Sequence, residues 1–86
     1  MPSQVCVDTS LAVRWLVQGE YSDEALALLA EWERTQTEMV APTYVLYEVT
    51  ATLRFYVHQN VIDEEYGFGA LGRLRQLPLR LTSRES

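Results

Sequence analysis

A chain of 86 residues with a net charge of -5 has room for one small domain and a modest hydrophobic core. Apolar residues make up 48% of the chain and charged residues 22%, a composition that excludes a disordered or fibrous protein. The acidic balance argues against a surface coated in basic residues for nonspecific nucleic-acid binding. No apolar run reaches the roughly 18 residues that span a bilayer, so no membrane-spanning segment is expected.

Cysteine content indicates the cellular compartment of the protein, and charge distribution indicates where it could contact phosphate. The single cysteine, Cys6, cannot form an internal disulfide, and no charged leader precedes the first apolar segment, so a cytoplasmic protein is expected. Residues 1–50 hold eight acids and two arginines, whereas residues 51–86 hold four acids and five arginines. The absence of lysine suits bidentate phosphate contacts by arginine, and it equally fits a GC-rich genome.

The first predicted elements are a buried strand at residues 4–7 and a helix at residues 11–17 that lies against a sheet. Between them lies Asp8-Thr9-Ser10, a cluster that favours turns and helix caps. Thr9 or Ser10 is the expected N-cap, which leaves Asp8 free at the carboxyl end of the strand.

The second predicted helix is amphipathic and begins at Ser22, its expected cap. Two carboxylates follow at the positive end of the helix dipole, and Tyr21 is placed to pack on Leu26. A brief second strand at residues 39–41 is expected to stop at Pro42, because proline lacks the N–H that a ladder needs.

A long third helix is predicted at residues 44–59, with Thr43 as its cap. Glu48 falls roughly 110° from the centre of its apolar stripe, at the margin between core and solvent. The stripe consists of Val45, Leu46, Val49, Leu53 and Tyr56.

A fourth helix is predicted to open at Asp63 and end at Pro78, and its three glycines make it the least stable of the four. The alternating residues 79–82 predict a closing strand. The element order is therefore βααβααβ. This order predicts one α/β domain with a parallel or mostly parallel sheet and helices packed on it.

Two carboxylates stand where chemistry is expected. In open α/β sheets ligands bind outside the carboxyl ends of the strands, and Asp8 occupies such a place, although it would also serve as a helix cap. Glu48 has no basic partner four positions away, although a solvated surface glutamate fits the same pattern. Two carboxylates are enough to begin a magnesium site but are few for a two-metal nuclease.

Four segments of the chain carry a resemblance to a known family. They are residues 5–16 (VCVDTSLAVRWL), residues 22–29 (SDEALALL), Ala41-Pro42 leading to Glu48-Val49, and Leu77-Pro78-Leu79. In this order they resemble PIN-domain proteins, especially the VapC-type toxin ribonucleases, and the resemblance spans nearly the whole chain.

The resemblance implies a PIN-like three-layer fold and a metal-dependent endoribonuclease, the toxin of a toxin–antitoxin pair. Asp8 and Glu48 match the first two metal-binding, catalytic acids of the family. Thr9 or Ser10 matches the hydroxyl residue that lines the same site. The implied cofactor is Mg²⁺ or Mn²⁺, the implied substrate is RNA, and the implied partner is an antitoxin protein.

The chain departs from the family where later acids are expected. PIN proteins continue with a helix carrying a Tyr-Asp-Ala type segment and a strand ending in Asp, and nothing in this chain matches them. Residues 1–86 are therefore expected to form a single incomplete PIN-like domain, truncated before the family's C-terminal helix and strand and impaired in activity. The alternative is a noncatalytic PIN-like interaction module that forms homo-oligomers or binds an antitoxin peptide, because an uncovered edge and apolar surface favour association.

The other reactive side chains are expected to be structural. His58 lacks a second ligand at zinc spacing, and Cys6 is expected in the core. The tryptophans and tyrosines are expected in the core or at interfaces rather than as base-stacking platforms. A solvated face is favoured over a phosphate-binding edge for the four arginines Arg73, Arg75, Arg80 and Arg84.

Overall fold

A computed structural model describes residues 3–83 and contains three strands and four helices in the predicted order. Their bounds are β1 Gln4–Cys6, α1 Thr9–Leu16, α2 Ser22–Arg34, β2 Glu38–Pro42, α3 Tyr44–His58, α4 Glu64–Gln76 and β3 Leu79–Thr82. The predicted α/β class and element order are confirmed. None of the helices in this part of the chain has the length and apolar content needed to cross a bilayer.

The three strands form one parallel sheet in the order β1-β2-β3, with Val5 beside Met39 and Met39 beside Leu79. Parallel crossovers are almost always right-handed, so two successive steps in the same direction put both helix pairs on one face of the sheet. The burial pattern agrees, because Met39 and Ala41 are buried whereas Glu38 is exposed. Residues 3–83 thus form two layers, and the predicted third layer is not among them.

The core lies between the sheet and the helices and is centred on α3. Val45, Val49 and Leu53 are at most 2% exposed, and Leu46 and Tyr56 pack against them, so the predicted stripe is confirmed. Trp15 and Trp32 meet edge to face, with ring centroids 6.3 Å apart. Their placement confirms the core assignment of the two tryptophans.

The uncovered face of the sheet explains why Cys6 is exposed, contrary to the core position predicted for it. Side chains alternate along a strand, so Gln4 and Cys6 both point away from the helices. A polar row crosses the strands on this face: Gln4 donates to Glu38 at 2.9 Å, and Arg80 pairs with Glu38 at 2.5 Å.

The second strand was predicted to stop before Pro42, but Pro42 is the last residue of β2. Glu38 N donates to Ser3 O and Val40 O accepts from Val7 N, whereas Thr43 N donates to Thr82 O. The backbone N–H and C=O groups of β2 therefore point alternately towards β1 and towards β3 from one residue to the next. Pro42 occupies a position whose groups point towards β1. Its missing N–H ends the pairing with β1 and leaves the pairing with β3 intact.

Two predicted helix caps are wrong, and a third is right in position. The N-cap of α1 is Asp8, so the helix starts two residues earlier than predicted. Ser22 is the first residue of α2, and its hydroxyl accepts from Gly19 N at 2.8 Å and donates to Val17 O at 3.1 Å. Thr43 is the N-cap of α3 as predicted, but its hydroxyl donates to Thr82 O and makes no capping hydrogen bond.

Tyr21, which was predicted to pack on Leu26, is the N-cap residue of α2, and both side chains are exposed. It takes a left-handed backbone conformation with φ 69°, and the Arg14 guanidinium lies 5.3 Å from the centroid of its ring. The cap of α4 is as predicted, since Asp63 accepts from Tyr66 N at 2.7 Å. Close packing of α4 against α3 explains one of the glycines of α4, because a Cβ at Gly67 would lie 3.0 Å from a methyl group of Val57.

Candidate metal site

The carboxyl ends of β1 and β2 lie side by side and turn directly into helices. Cys6 pairs with Val40, so the chain leaves both strands at the same edge of the sheet, through Asp8 into α1 and through Pro42 into α3. Helices α1 and α3 pack against one another. This packing brings the start of α1 to the side of α3 on which Glu48 lies.

Asp8 has a structural role as well as an open position. Its Oδ1 accepts from Leu11 N at 2.9 Å and from the Ser10 hydroxyl at 3.2 Å, which makes Asp8 the cap that Thr9 or Ser10 was predicted to be. Only one of its two carboxylate oxygens takes part in these bonds. The cap therefore orients the carboxylate and leaves the second oxygen for another partner.

Glu48 is joined to the strand end by a hydroxyl group rather than by a cation. The Thr9 hydroxyl donates to Glu48 Oε1 at 2.5 Å, across the contact between α1 and α3. Glu48 was predicted at the margin between core and solvent, but it is exposed. No arginine within residues 3–83 forms an ion pair with Asp8 or Glu48.

A cleft of about 290 Å³ joins these groups. It contains all four residues that the sequence singled out, Asp8, Thr9, Ser10 and Glu48, and one that it missed, Tyr44. The position of Tyr44 could have been inferred, because residues four apart on a helix are neighbours and Tyr44 precedes Glu48 by four. The complete lining is Cys6, Val7, Asp8, Thr9, Ser10, Pro42, Tyr44, Val45 and Glu48.

The donor set of this cleft fits a hard divalent cation. Its lining includes two carboxylates and three hydroxyl groups, and oxygen is the ligand atom that Mg²⁺ and Mn²⁺ prefer. The one sulfur residue of the lining, Cys6, has its side chain on the uncovered face of the sheet. Mg²⁺ is commonly held by one or two carboxylates and keeps several waters. Within residues 3–83 no group of three or more acidic, histidine or cysteine side chains converges, and two carboxylates are few for a two-metal site.

Among the other acids of residues 3–83, two form ion pairs and Asp63 caps α4. Glu31 is paired with Arg34 and Glu38 with Arg80, and in each case the hydrogen bond from the guanidinium lowers the pKa of the carboxyl group. His58 lines a different cleft between α3 and α4.

The arginines do not form one phosphate-binding edge in the described part of the chain. Arg73 donates to Leu16 O at 2.7 Å, which anchors α4 to the C-terminal end of α1. Arg80 is on the uncovered face of the sheet with Glu38. Arg84 lies outside the described residues.

No protein-family model matches the chain, and no curated protein is significantly similar to it. The likeness to PIN domains therefore rests on the motifs of the chain itself.

Proposed function

We propose that this chain carries the first half of the active site of a PIN-type, metal-dependent endoribonuclease, the cytoplasmic toxin of a toxin–antitoxin pair. The observation that supports the proposal is the cleft at the strand ends, which Asp8 and Glu48 both line and in which no arginine of residues 3–83 pairs with either. Mg²⁺ is commonly held by one or two carboxylates of this kind.

Each residue of the cleft has a distinct part. Asp8 and Glu48 would hold Mg²⁺ or Mn²⁺ through the carboxylate oxygens that the cap and the Thr9 hydroxyl leave open. The Thr9 hydroxyl, by donating to Glu48, fixes the orientation of that carboxylate and ties α1 to α3. When bound, the ion supplies an activated water and neutralises charge on the RNA phosphodiester.

The test is cleavage of RNA, with and without Mg²⁺ or Mn²⁺, by the complete product of the gene that encodes this chain. Asp8→Asn and Glu48→Gln should each abolish metal-dependent cleavage, because each removes one charged ligand. The matched control is Glu33→Gln, an exposed glutamate outside the cleft that should leave the rate unchanged. Cleavage that survives Asp8→Asn contradicts the proposal.

Residues 1–86 alone should cleave RNA poorly or not at all. Two carboxylates hold a single ion weakly, and the later acids of the family have no counterpart in the chain. Robust cleavage by this chain, abolished by Asp8→Asn, would show that two acids are sufficient.

A second candidate function is favoured by apolar side chains around α3 and α4. Phe68 is 75% exposed and borders a cleft of about 460 Å³ between the two helices. Exposed apolar surface of this kind suits a second copy of the chain or an antitoxin peptide. Light scattering tests it: Phe68→Ala should weaken association, and a wild-type chain that stays monomeric at high concentration contradicts it.

A further inference from the structure

Three of the five tyrosines have structural partners. Tyr66 accepts a hydrogen bond from Gln18 N at 3.0 Å, and the Arg73 guanidinium lies 5.4 Å from its ring centroid. Tyr21 has the guanidinium of Arg14 over its ring, and Tyr56 packs half-buried against the core. The role of each ring in holding the fold is therefore evident.

Tyr44 and Tyr47 have no such role within residues 3–83. Tyr44 is 57% exposed and Tyr47 is 72% exposed, and neither hydroxyl nor ring makes a hydrogen bond, an aromatic contact or a cation–π contact there. The sequence predicted that tyrosines lie in the core or at interfaces. For these two the core position is wrong.

One of these two rings lines the acidic cleft. Tyr44 lines it together with Asp8 and Glu48, and Tyr47 precedes Glu48 directly in α3. At 100° per residue, Tyr47, Tyr44 and Glu48 lie in that order across an arc of about 100° on the helix surface. Tyr47 is therefore on the surface of α3 that adjoins Tyr44, on the side away from Glu48.

We propose that Tyr44 and Tyr47 form a stacking platform for the bases of single-stranded RNA whose backbone enters the Asp8–Glu48 cleft. This inference rests on the proposed function. Stacking suits this chain because its net charge of -5 and its acidic cleft offer phosphate little attraction without a divalent ion. Base contacts through aromatic faces do not depend on charge, and they tolerate any sequence because every base has a π face.

The test uses a short single-stranded RNA that carries 2-aminopurine, whose fluorescence falls when the base stacks. Titration with the 86-residue chain should quench the signal in Ca²⁺ as well as in Mg²⁺. Tyr44→Ala and Tyr47→Ala should each weaken binding about ten-fold, whereas Tyr44→Phe and Tyr47→Phe should bind like the wild type, because phenylalanine keeps the ring.

The matched control is Phe55→Ala. Phe55 is an equally exposed aromatic residue of α3 that lies about 16 Å further along the helix from Tyr44, so its removal should leave RNA binding unchanged. Circular dichroism of every variant identifies any that fails to fold. The phenylalanine variants keep the comparison informative in that case.

Three results would overturn the inference: no quenching by the wild-type chain, equal binding by the alanine variants, or a change in oligomeric state as the only effect of the alanine substitutions. The last would assign the two rings to a protein interface. Failure of the proposed function would look different. Quenching that depends on both tyrosines, combined with cleavage that ignores Asp8→Asn, would leave the platform standing and remove the metal site.

Discussion

Glu38 and Glu48 are both exposed glutamates beside the sheet, and their surroundings differ in one decisive respect. Glu38 accepts from Arg80 and from Gln4, so its charge is matched across three strands. Within the described residues the Glu48 carboxylate accepts only from the Thr9 hydroxyl, and its cleft contains a second carboxylate, Asp8. The ion pair accounts for Glu38 within the fold, whereas Glu48 shares a cleft with a second carboxylate, an arrangement that a divalent cation can bind.

The largest effect is expected from a substitution in the hydrophobic core, on which the surroundings of both Glu38 and Glu48 depend. Leu53→Ala should lower the free energy of unfolding by about 2–5 kcal/mol, because Leu53 is fully buried at the centre of the core and alanine leaves a cavity. Urea denaturation measures the loss. Wild-type stability of this variant would contradict a core centred on α3.

Two substitutions of Asp8 distinguish its role as a helix cap from its proposed role as a metal ligand. Asp8→Ala should cost about 1 kcal/mol of stability, because Leu11 N loses its acceptor, whereas Asp8→Asn keeps an acceptor and should cost little. Both variants should lose metal binding, because neither keeps the charge. If Asp8→Asn binds Mn²⁺ like the wild type, Asp8 is a cap and nothing more.

The smallest expected effect on stability comes from Glu38, and the direction in which it changes with pH follows from the pKa of Glu38. The hydrogen bond from Arg80, followed by that from Gln4, lowers the pKa of Glu38 in the folded chain. The stabilisation is therefore complete above the usual pKa of a glutamate and is lost as the pH falls through the lowered value. The fall should be modest because the pair is exposed.

Thermal unfolding at pH 7 and at pH 3 measures this contribution. Glu38→Gln should be less stable than the wild type at pH 7, and the difference between the two should shrink at pH 3. A difference that grows on acidification would contradict the role assigned to the Arg80–Glu38 pair.

Periodicity was enough to predict the seven elements, the parallel sheet and the buried stripe of α3. These features depend on spacing, which a sequence displays directly. The exposure of Cys6 could not be predicted, because it depends on both crossovers lying on the same face of the sheet. Likewise, Pro42 belongs to β2 because of which neighbour its missing N–H faces, and that requires the register.

The candidate site was predicted in part. Asp8 and Glu48 were paired by order along the chain, and they do line one cleft. The hydrogen bond from Thr9 to Glu48 and the presence of Tyr44 at the rim arise from the packing of α1 on α3. Local sequence carries little information about such contacts between distant residues.

The most direct test of the account is a calorimetric titration of the chain with Mn²⁺, comparing Glu48→Gln with Glu38→Gln. Both substitutions remove one negative charge from an exposed glutamate, and only Glu48 lines the cleft. We expect Glu48→Gln to weaken Mn²⁺ binding by at least about ten-fold and Glu38→Gln to bind like the wild type. Equal affinities for the two variants would contradict a metal site between Asp8 and Glu48.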